Sequence, residues 1–209
     1  MAIILNSTNA FVFGASATKT NKNFMQTNAE RLASGKRINS AADDAAGLAV
    51  LSKLEASLPG KEQAIRNSAD GLRALQTVDS GAAEVSNILN RMRELAVQAS
   101  NGPTSIAERE AIQGEADQLT AEISRIADNV SFKGQNLLAG AEIDIQAGDT
   151  SSARLSVDIT AMTSSALSLD GGAVSFDTPA DARSSIQTID AALEQVNATR
   201  SEIGAGISR

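Results

Sequence analysis

Cysteine and histidine are both missing from this 209-residue sequence, as are tryptophan and tyrosine. Without Cys there are no disulfides, thiolate metal ligands or thiol nucleophiles, and without His the Ser/His/Asp triad and the commonest metal ligand go as well. Aromatic residues make up 2% of the chain, all of them Phe, against 42% hydrophobic residues. That share suffices for one or two small domains with real cores, built from Leu, Ile, Val, Ala and Met at helical spacing instead of large rings. No Gly-rich phosphate loop is present, and Asp43-Asp44 is the sole adjacent acidic pair. Phosphoryl transfer and two-carboxylate hydrolysis therefore lack their parts, and neither enzymatic activity, cofactor nor metal is expected. Basic clusters are scarce too. A net charge of −7 opposes binding to a phosphate backbone, which needs gathered Lys and Arg to release counterions. No apolar run reaches the roughly 18 residues of a membrane span. The start MAIILNSTNAFVFGAS has no Lys or Arg ahead of its apolar stretch, a poor general secretory signal, so export would take another route.

What is present is helical periodicity. From about Asn9 to Leu32, Phe11, Thr18, Met25 and Leu32 recur every seven residues, with Phe24 and Ala29 beside them, a thin and incomplete apolar stripe. Ser34-Gly35 is a stop signal, and Asn39 to Gly47 is a connector with Ser40 or Asp43 as the cap of the next helix. Leu51, Leu54, Leu58, Ile65, Leu72 and Leu75 then lead into Val78, Ala82, Val85, Leu89, Met92 and Ala96. The last six alternate steps of four and three, a coiled-coil-like seam, and a helix from Lys61 to Ala99 would be roughly 60 Å long. Pro59-Gly60 predicts a kink or break near its start.

Asn101-Gly102-Pro103 is a stop-and-turn, and Ser105 with Glu108 forms a capping box that opens another helix. Its Ile112, Ala116, Leu119, Ile123, Ile126 and Val130 again step by four and three, so it should lie antiparallel to the first. Beyond Phe132-Lys133-Gly134 the period becomes two: Ile143 and Ile145, then Leu155, Val157 and Ile159 around Gly148-Asp149, predict a small β-hairpin near 142–160. Ala161 to Phe176 is rich in Ser, Thr and Gly and predicts a surface excursion. Asp177-Thr178-Pro179 starts a last helix, with Ile186, Ile189, Leu193, Val196, Ile203 and Ile207 in its seam. The pattern stops at Arg209 without a terminator, which reads as a truncation, and Gly204 and Gly206 weaken its last turns.

The fold class is therefore mainly α: an elongated antiparallel helical bundle with coiled-coil-like seams plus a small β-hairpin. Seams so long and so poor in aromatics leave helix faces free for contact with copies of the same chain. Near the end of the long helix, Arg91, Leu95 and Gln98 fall just outside the seam and predict one exposed stripe. A second reading stays open, in which Leu95 merely widens the core stripe. Glu115 flanks the facing seam in a similar way, where a solvated charge is the ordinary outcome. Asn6-Ser7-Thr8, Asn129-Val130-Ser131 and Asn197-Ala198-Thr199 match the glycosylation tripeptide, a pattern too short to carry weight.

Three longer segments carry a resemblance. RLASGKRINSAADDAAGLA at 31–49, RMRELAVQASNG at 91–102 and FKGQNLLAG at 132–140 closely resemble bacterial flagellin, and the likeness runs from Met1, fades around the hairpin and returns over 184–203. It implies an N-terminal inner-core helix over residues 1–37, a spoke connector over 38–47 and an outer-core helical domain over 48–209, with a variable Ser/Thr-rich segment at 161–177. It also implies a secreted filament subunit that polymerises with itself, with Phe11, Met25 and Leu32 as assembly residues. The partners it implies are the flagellar type III export apparatus, hook-associated and cap proteins, and Toll-like receptor 5 in hosts. The family's receptor-contact motif maps onto Arg91, Leu95 and Glu115, with Gln98 on the same stripe, while Asn90 stands where the family often has Gln. Only the first part of a returning C-terminal helix is expected here, so the stripe from Phe11 to Leu32 lacks its partner and is expected to be disordered in isolation. Pro59 and the polar run Thr18 to Asn23 depart from the family pattern. A hook-filament junction protein shares the terminal layers and is the alternative, with the segments at 31–49 and 91–98 favouring the filament subunit. The metalloprotease domain that some flagellins carry is excluded by the absence of His.

Overall fold

The computed structural model describes residues 2–209, with side-chain surroundings from Phe11 onward. The elements in chain order are α1 (Ala2–Ser34), α2 (Ala45–Ala99), α3 (Ile106–Asn129), β1 (Ser131–Phe132), β2 (Gln135–Asn136), β3 (Ala141–Gln146), β4 (Arg154–Ile159) and α4 (Pro179–Ser208). The chain is mainly helical, and it divides into two units that meet at Pro59 and Gly60.

In the first unit α1 is helical where disorder was expected. Its hydroxyls fold back on the helix instead of competing with it: Thr18, Thr20 and Thr27 donate to the carbonyls of Gly14, Ser16 and Asn23 at 2.8–3.0 Å, a local bond that the polar run supplies without tertiary packing. Gly35 ends the helix with φ +67, the left-handed residue such ends favour. In the connector, Asp43 accepts from the amides of Asn39 and Ser40 and from Arg31, and those amides, then Ser40 and Arg31, hold its carboxyl below the usual range. The cap of α2 is neither Ser40 nor Asp43. Asp44 takes that role, its carboxylate accepting from the Gly47 amide at 2.9 Å, because Asp43 is already committed to closing the turn before it. Lys36 pairs with Glu55 at 2.8 Å.

Of the kink or break expected at Pro59-Gly60, the break does not occur: α2 runs as one helix from Ala45 to Ala99 with Pro59 inside it. Proline removes one amide donor and crowds the preceding turn, which a long helix tolerates at one point. The expected seam over the first half of α2 is also corrected. Val50, Leu54, Leu58, Ile65 and Leu72 are exposed, since periodicity marks a face able to pack and cannot supply something to pack on it.

In the second unit, burial of α2 is continuous from Ala74. The columns Ala74/Gly81/Ile88/Leu95, Val78/Val85/Met92/Ala99 and Leu75/Ala82/Leu89/Ala96 are all buried. Three columns exceed a simple two-column seam because α2 has two helical neighbours. Arg91 reaches Glu115 of α3, while Arg93 and Asp79 reach Asp190 and Arg200 of α4. Along α4 the partners run opposite to α2, so the pair is antiparallel. Small residues allow the close approaches: a Cβ at Gly71 would lie 2.2 Å from the Ile145 side chain, and one at Gly81 2.8 Å from Leu138.

The turn after α2 closes as expected. Ser105 caps α3, its hydroxyl accepting from the Glu108 amide while the Glu108 carboxylate accepts from the Ser105 amide at 2.7 Å, a full capping box. Ile112, Ala116, Ile123 and Ile126 are buried on α3, with Leu119 and Val130 partly so. A two-residue hairpin then pairs Phe132 with Gln135 across Lys133 and Gly134, at φ +51 and +84, the geometry of the turns that match strand twist. The larger hairpin pairs Ile143 with Val157 and Ile145 with Leu155, as the two-residue period predicted.

The surface excursion expected over 161–176 is corrected. Met162, Leu167, Leu169, Val174 and Phe176 are all buried, and Phe176 is 0% exposed. The segment has no regular period and is fastened by hydrogen bonds to its neighbours: Met162 donates to the Leu138 carbonyl at 2.8 Å, the Gln113 amide group accepts from the Phe176 amide and donates to the Val174 carbonyl, and the Ser185 hydroxyl accepts from the Ser175 amide and donates to its carbonyl. Thr178 caps α4 ahead of Pro179. Ile189, Val196 and Ile203 of α4 are buried, Ile186 and Leu193 are half-buried, and Ile207 is exposed; the helix continues through Gly204 and Gly206.

Candidate functional site

Two surfaces carry the residues singled out in the sequence. One lies on the last turns of α2 beside α3. Arg91 donates through Nε and Nη2 to one Glu115 oxygen, at 3.0 and 2.8 Å, and through Nη1 to Glu94 at 3.0 Å. The guanidinium is thus held between carboxylates on two helices, its pKa raised first by the hydrogen bond to Glu115 and then by that to Glu94. It stays cationic, and its planar fork is fixed in one orientation at the surface.

Leu95 does not belong to an exposed stripe. It is 2% exposed and belongs to the buried Ile88/Leu95 column, so the reading in which Leu95 widens the core stripe is the right one. Its physical role is that of a core residue of the bundle. Gln98 is exposed, and its main-chain carbonyl accepts from the Asn101 amide and the Thr104 hydroxyl. The structure thus joins Arg91 to Glu115, leaves Gln98 exposed farther along α2, and buries Leu95. The sequence reading missed Glu94, which lies three residues from Arg91 and so within reach on a helix. It also missed the exposed Val97 and the Arg93–Asp190 pair at 2.6 Å. The last needed knowledge of which helix lies alongside.

The second surface is α1. Phe11, Met25 and Leu32 are 79%, 74% and 86% exposed, and Val12, Phe13 and Phe24 are exposed too. This concentrates three of the five Phe of the chain on one helix surrounded by solvent, an arrangement that marks an interaction surface more than a core. Of the three tripeptides, Asn129 donates its side-chain amide to the Arg125 carbonyl, Asn197 is exposed on α4, and the side chains around Asn6 lie outside the described residues. Among the described residues no group of three or more acidic, His or Cys side chains is placed to hold a metal, and no helix is long and apolar enough to cross a membrane. Among the described residues, one surface presents exposed apolar side chains and the other an ion-paired guanidinium.

The family model of the bacterial flagellin N-terminal helical region matches residues 6–142. A flagellin of Halalkalibacterium halodurans is 41% identical over 187 residues, covering 88% of this chain and 69% of that protein. Polar flagellin F of Vibrio parahaemolyticus is 38% identical over 173 residues, covering 82% of this chain and 46% of that protein. The chain thus spans about half the length of the second relative and somewhat over two thirds of the first. Among solved structures, Bacillus cereus flagellin superposes with a TM-score of 0.61 at 31% identity, covering 69% of this chain and 84% of that one. With a family match over most of its length and a relative above 40% identity, the chain belongs to the bacterial flagellin family.

Proposed function

We propose that this chain is a structural subunit of the bacterial flagellar filament, joining copies of itself through the apolar face of α1. The observation that carries the reading is the exposure of Phe11, Met25 and Leu32 on a helix of a chain whose family is that of filament proteins. A side chain of this size leaves water with a gain of roughly 1.5–3 kcal/mol, so a helix bearing several of them has a strong incentive to find a partner. Residues 1–37 would form an inner layer, 38–47 a spoke and 48–209 an outer layer. Export by the flagellar type III apparatus, contact with hook-associated and cap proteins and an extracellular location follow from the same reading.

A second part of the reading rests on the Arg91–Glu115 pair: Arg91, Gln98 and Glu115 form a recognition surface for Toll-like receptor 5. The fixed guanidinium between Glu115 and Glu94 supports it, as a preordered polar anchor loses little side-chain entropy on binding.

The filament reading is tested by seeding purified protein with short flagellin filaments and following sedimentation and light scattering, beside a variant carrying Phe11→Ser, Met25→Ser and Leu32→Ser. Growth of the parent and none of the variant is the expected result. Growth of both removes α1 as the assembly face, and growth of neither counts against the filament reading itself.

A further inference from the structure

Asn101-Gly102 has so far served only as a turn. We infer that Asn101 is a site of intramolecular deamidation, converting slowly to aspartate and isoaspartate in the folded protein. It is the one Asn-Gly step in the chain, and glycine after asparagine leaves the next main-chain nitrogen sterically open. Three features of the fold keep it open. Both residues are exposed in the connection between α2 and α3. The Gly102 amide donates no main-chain hydrogen bond among the described residues, whereas its neighbours do: Asn101 donates to the Gln98 carbonyl and Thr104 to the Asn101 carbonyl, each at a long 3.3 Å. A Cβ placed on Gly102 would meet nothing within 4 Å, so the peptide has room to rotate.

The chemistry balances with water alone. The Gly102 nitrogen gives its proton to solvent base and attacks the Asn101 Cγ; the new C–N bond closes a five-membered imide, the Cγ–Nδ2 bond breaks, and ammonia leaves carrying a solvent proton. Water then adds to either imide carbonyl and reopens the ring. One opening yields aspartate, and the other yields isoaspartate with the side-chain methylene in the main chain. Either product places a carboxylate just beyond the last turn of α2, where the helix dipole disfavours negative charge. It also stands beside Gln98 on the surface described above.

The fold supplies a control. Asn39 is also exposed in a connection and precedes a small residue, but the Ser40 amide donates to Asp43 at 3.1 Å. A nitrogen engaged in that bond is a poorer nucleophile. The remaining asparagines of the described elements lie largely in helices, where the amide is held in the ladder.

The test incubates the whole folded protein at neutral and at mildly alkaline pH and reads the tryptic peptide Glu94–Arg109 by mass spectrometry with isoaspartyl-sensitive fragmentation. Conversion at Asn101 many-fold faster than at Asn39, accelerated by alkali and giving both acids, is expected. Gly102→Ala, which the open space tolerates, should slow it several-fold while circular dichroism stays unchanged. Conversion no faster than at Asn39, aspartate without isoaspartate, or an unaltered rate in a folded Gly102→Ala variant each overturns the inference.

Discussion

α1 and the second half of α2 are both written in steps of three, four and seven, and the structure treats them in opposite ways. Phe11, Met25 and Leu32 stand in solvent, while Val78, Leu89 and Met92 are 0% exposed. The difference lies in the neighbours and not in the pattern. α2 beyond Ala74 has α3 on one side and α4 on the other, tied across by Arg91–Glu115 and Arg93–Asp190. Within the first unit α1 has no packed helix against its stripe among the described residues. An apolar face is a capacity for burial, and burial needs a second surface.

Phe176 and Phe11 break this comparison most sharply if it is wrong. Phe176→Ala should cost about 3–5 kcal/mol, as deletion of a buried ring leaves a cavity as well as lost transfer energy, whereas Phe11→Ala should leave the midpoint of urea unfolding unchanged. Comparable losses from both would mean that α1 is packed in solution. Leu95→Ala sharpens the boundary between core and surface. A cost of about 2–5 kcal/mol places it with the core, and any loss of receptor signalling should then track loss of fold. Arg91→Ala should instead weaken recognition in a receptor reporter assay while leaving thermal unfolding essentially in place.

The smallest effect concerns the loop that makes the bundle possible. Ser105→Ala should cost about 1 kcal/mol by removing the cap of α3. The Ser105 main-chain amide, and then its hydroxyl, hold the Glu108 carboxyl below its ordinary value. A lowered carboxylate contributes stability that is present above its unfolded pKa and lost as pH falls through the folded one. Acid titration of the parent should therefore show a stability loss in the carboxylate range that is slightly shallower in Ser105→Ala, which keeps the main-chain amide; superimposable acid limbs would show that the hydroxyl contributes nothing there.

Local signals with a single physical cause were legible. The box at Ser105 and Glu108, the start at Thr178-Pro179 and the alternation at Ile143 and Ile145 each depend on residues a few positions apart. The misses share the opposite property. Phe176, Leu169 and Met162 sit in a segment without period, and Gln113 on α3, more than sixty residues before Phe176, together with Ser185 on α4 holds the main chain at Val174 to Phe176. Leu95 was ambiguous because its column is buried only when a third helix is present. The cap at Asp44 was missed because Asp43, one residue earlier, looked equivalent until the Ser40 turn claimed it.

Along the receptor candidate surface, Arg91 and Glu115 could be named from family-like segments, but not joined. Their contact depends on the reversal at Asn101–Thr104, which brings residues 24 apart within 3.0 Å. Helical character, the reversal after Ala99, the hairpin and the absence of His- or Cys-based chemistry followed from the sequence alone, since propensity, capping and composition act over one or two turns. Which half of α2 is buried, whether Leu95 faces water, and how residues 161–176 fill the core were decided by tertiary structure, because burial depends on where a second surface lies and one helix does not carry that information.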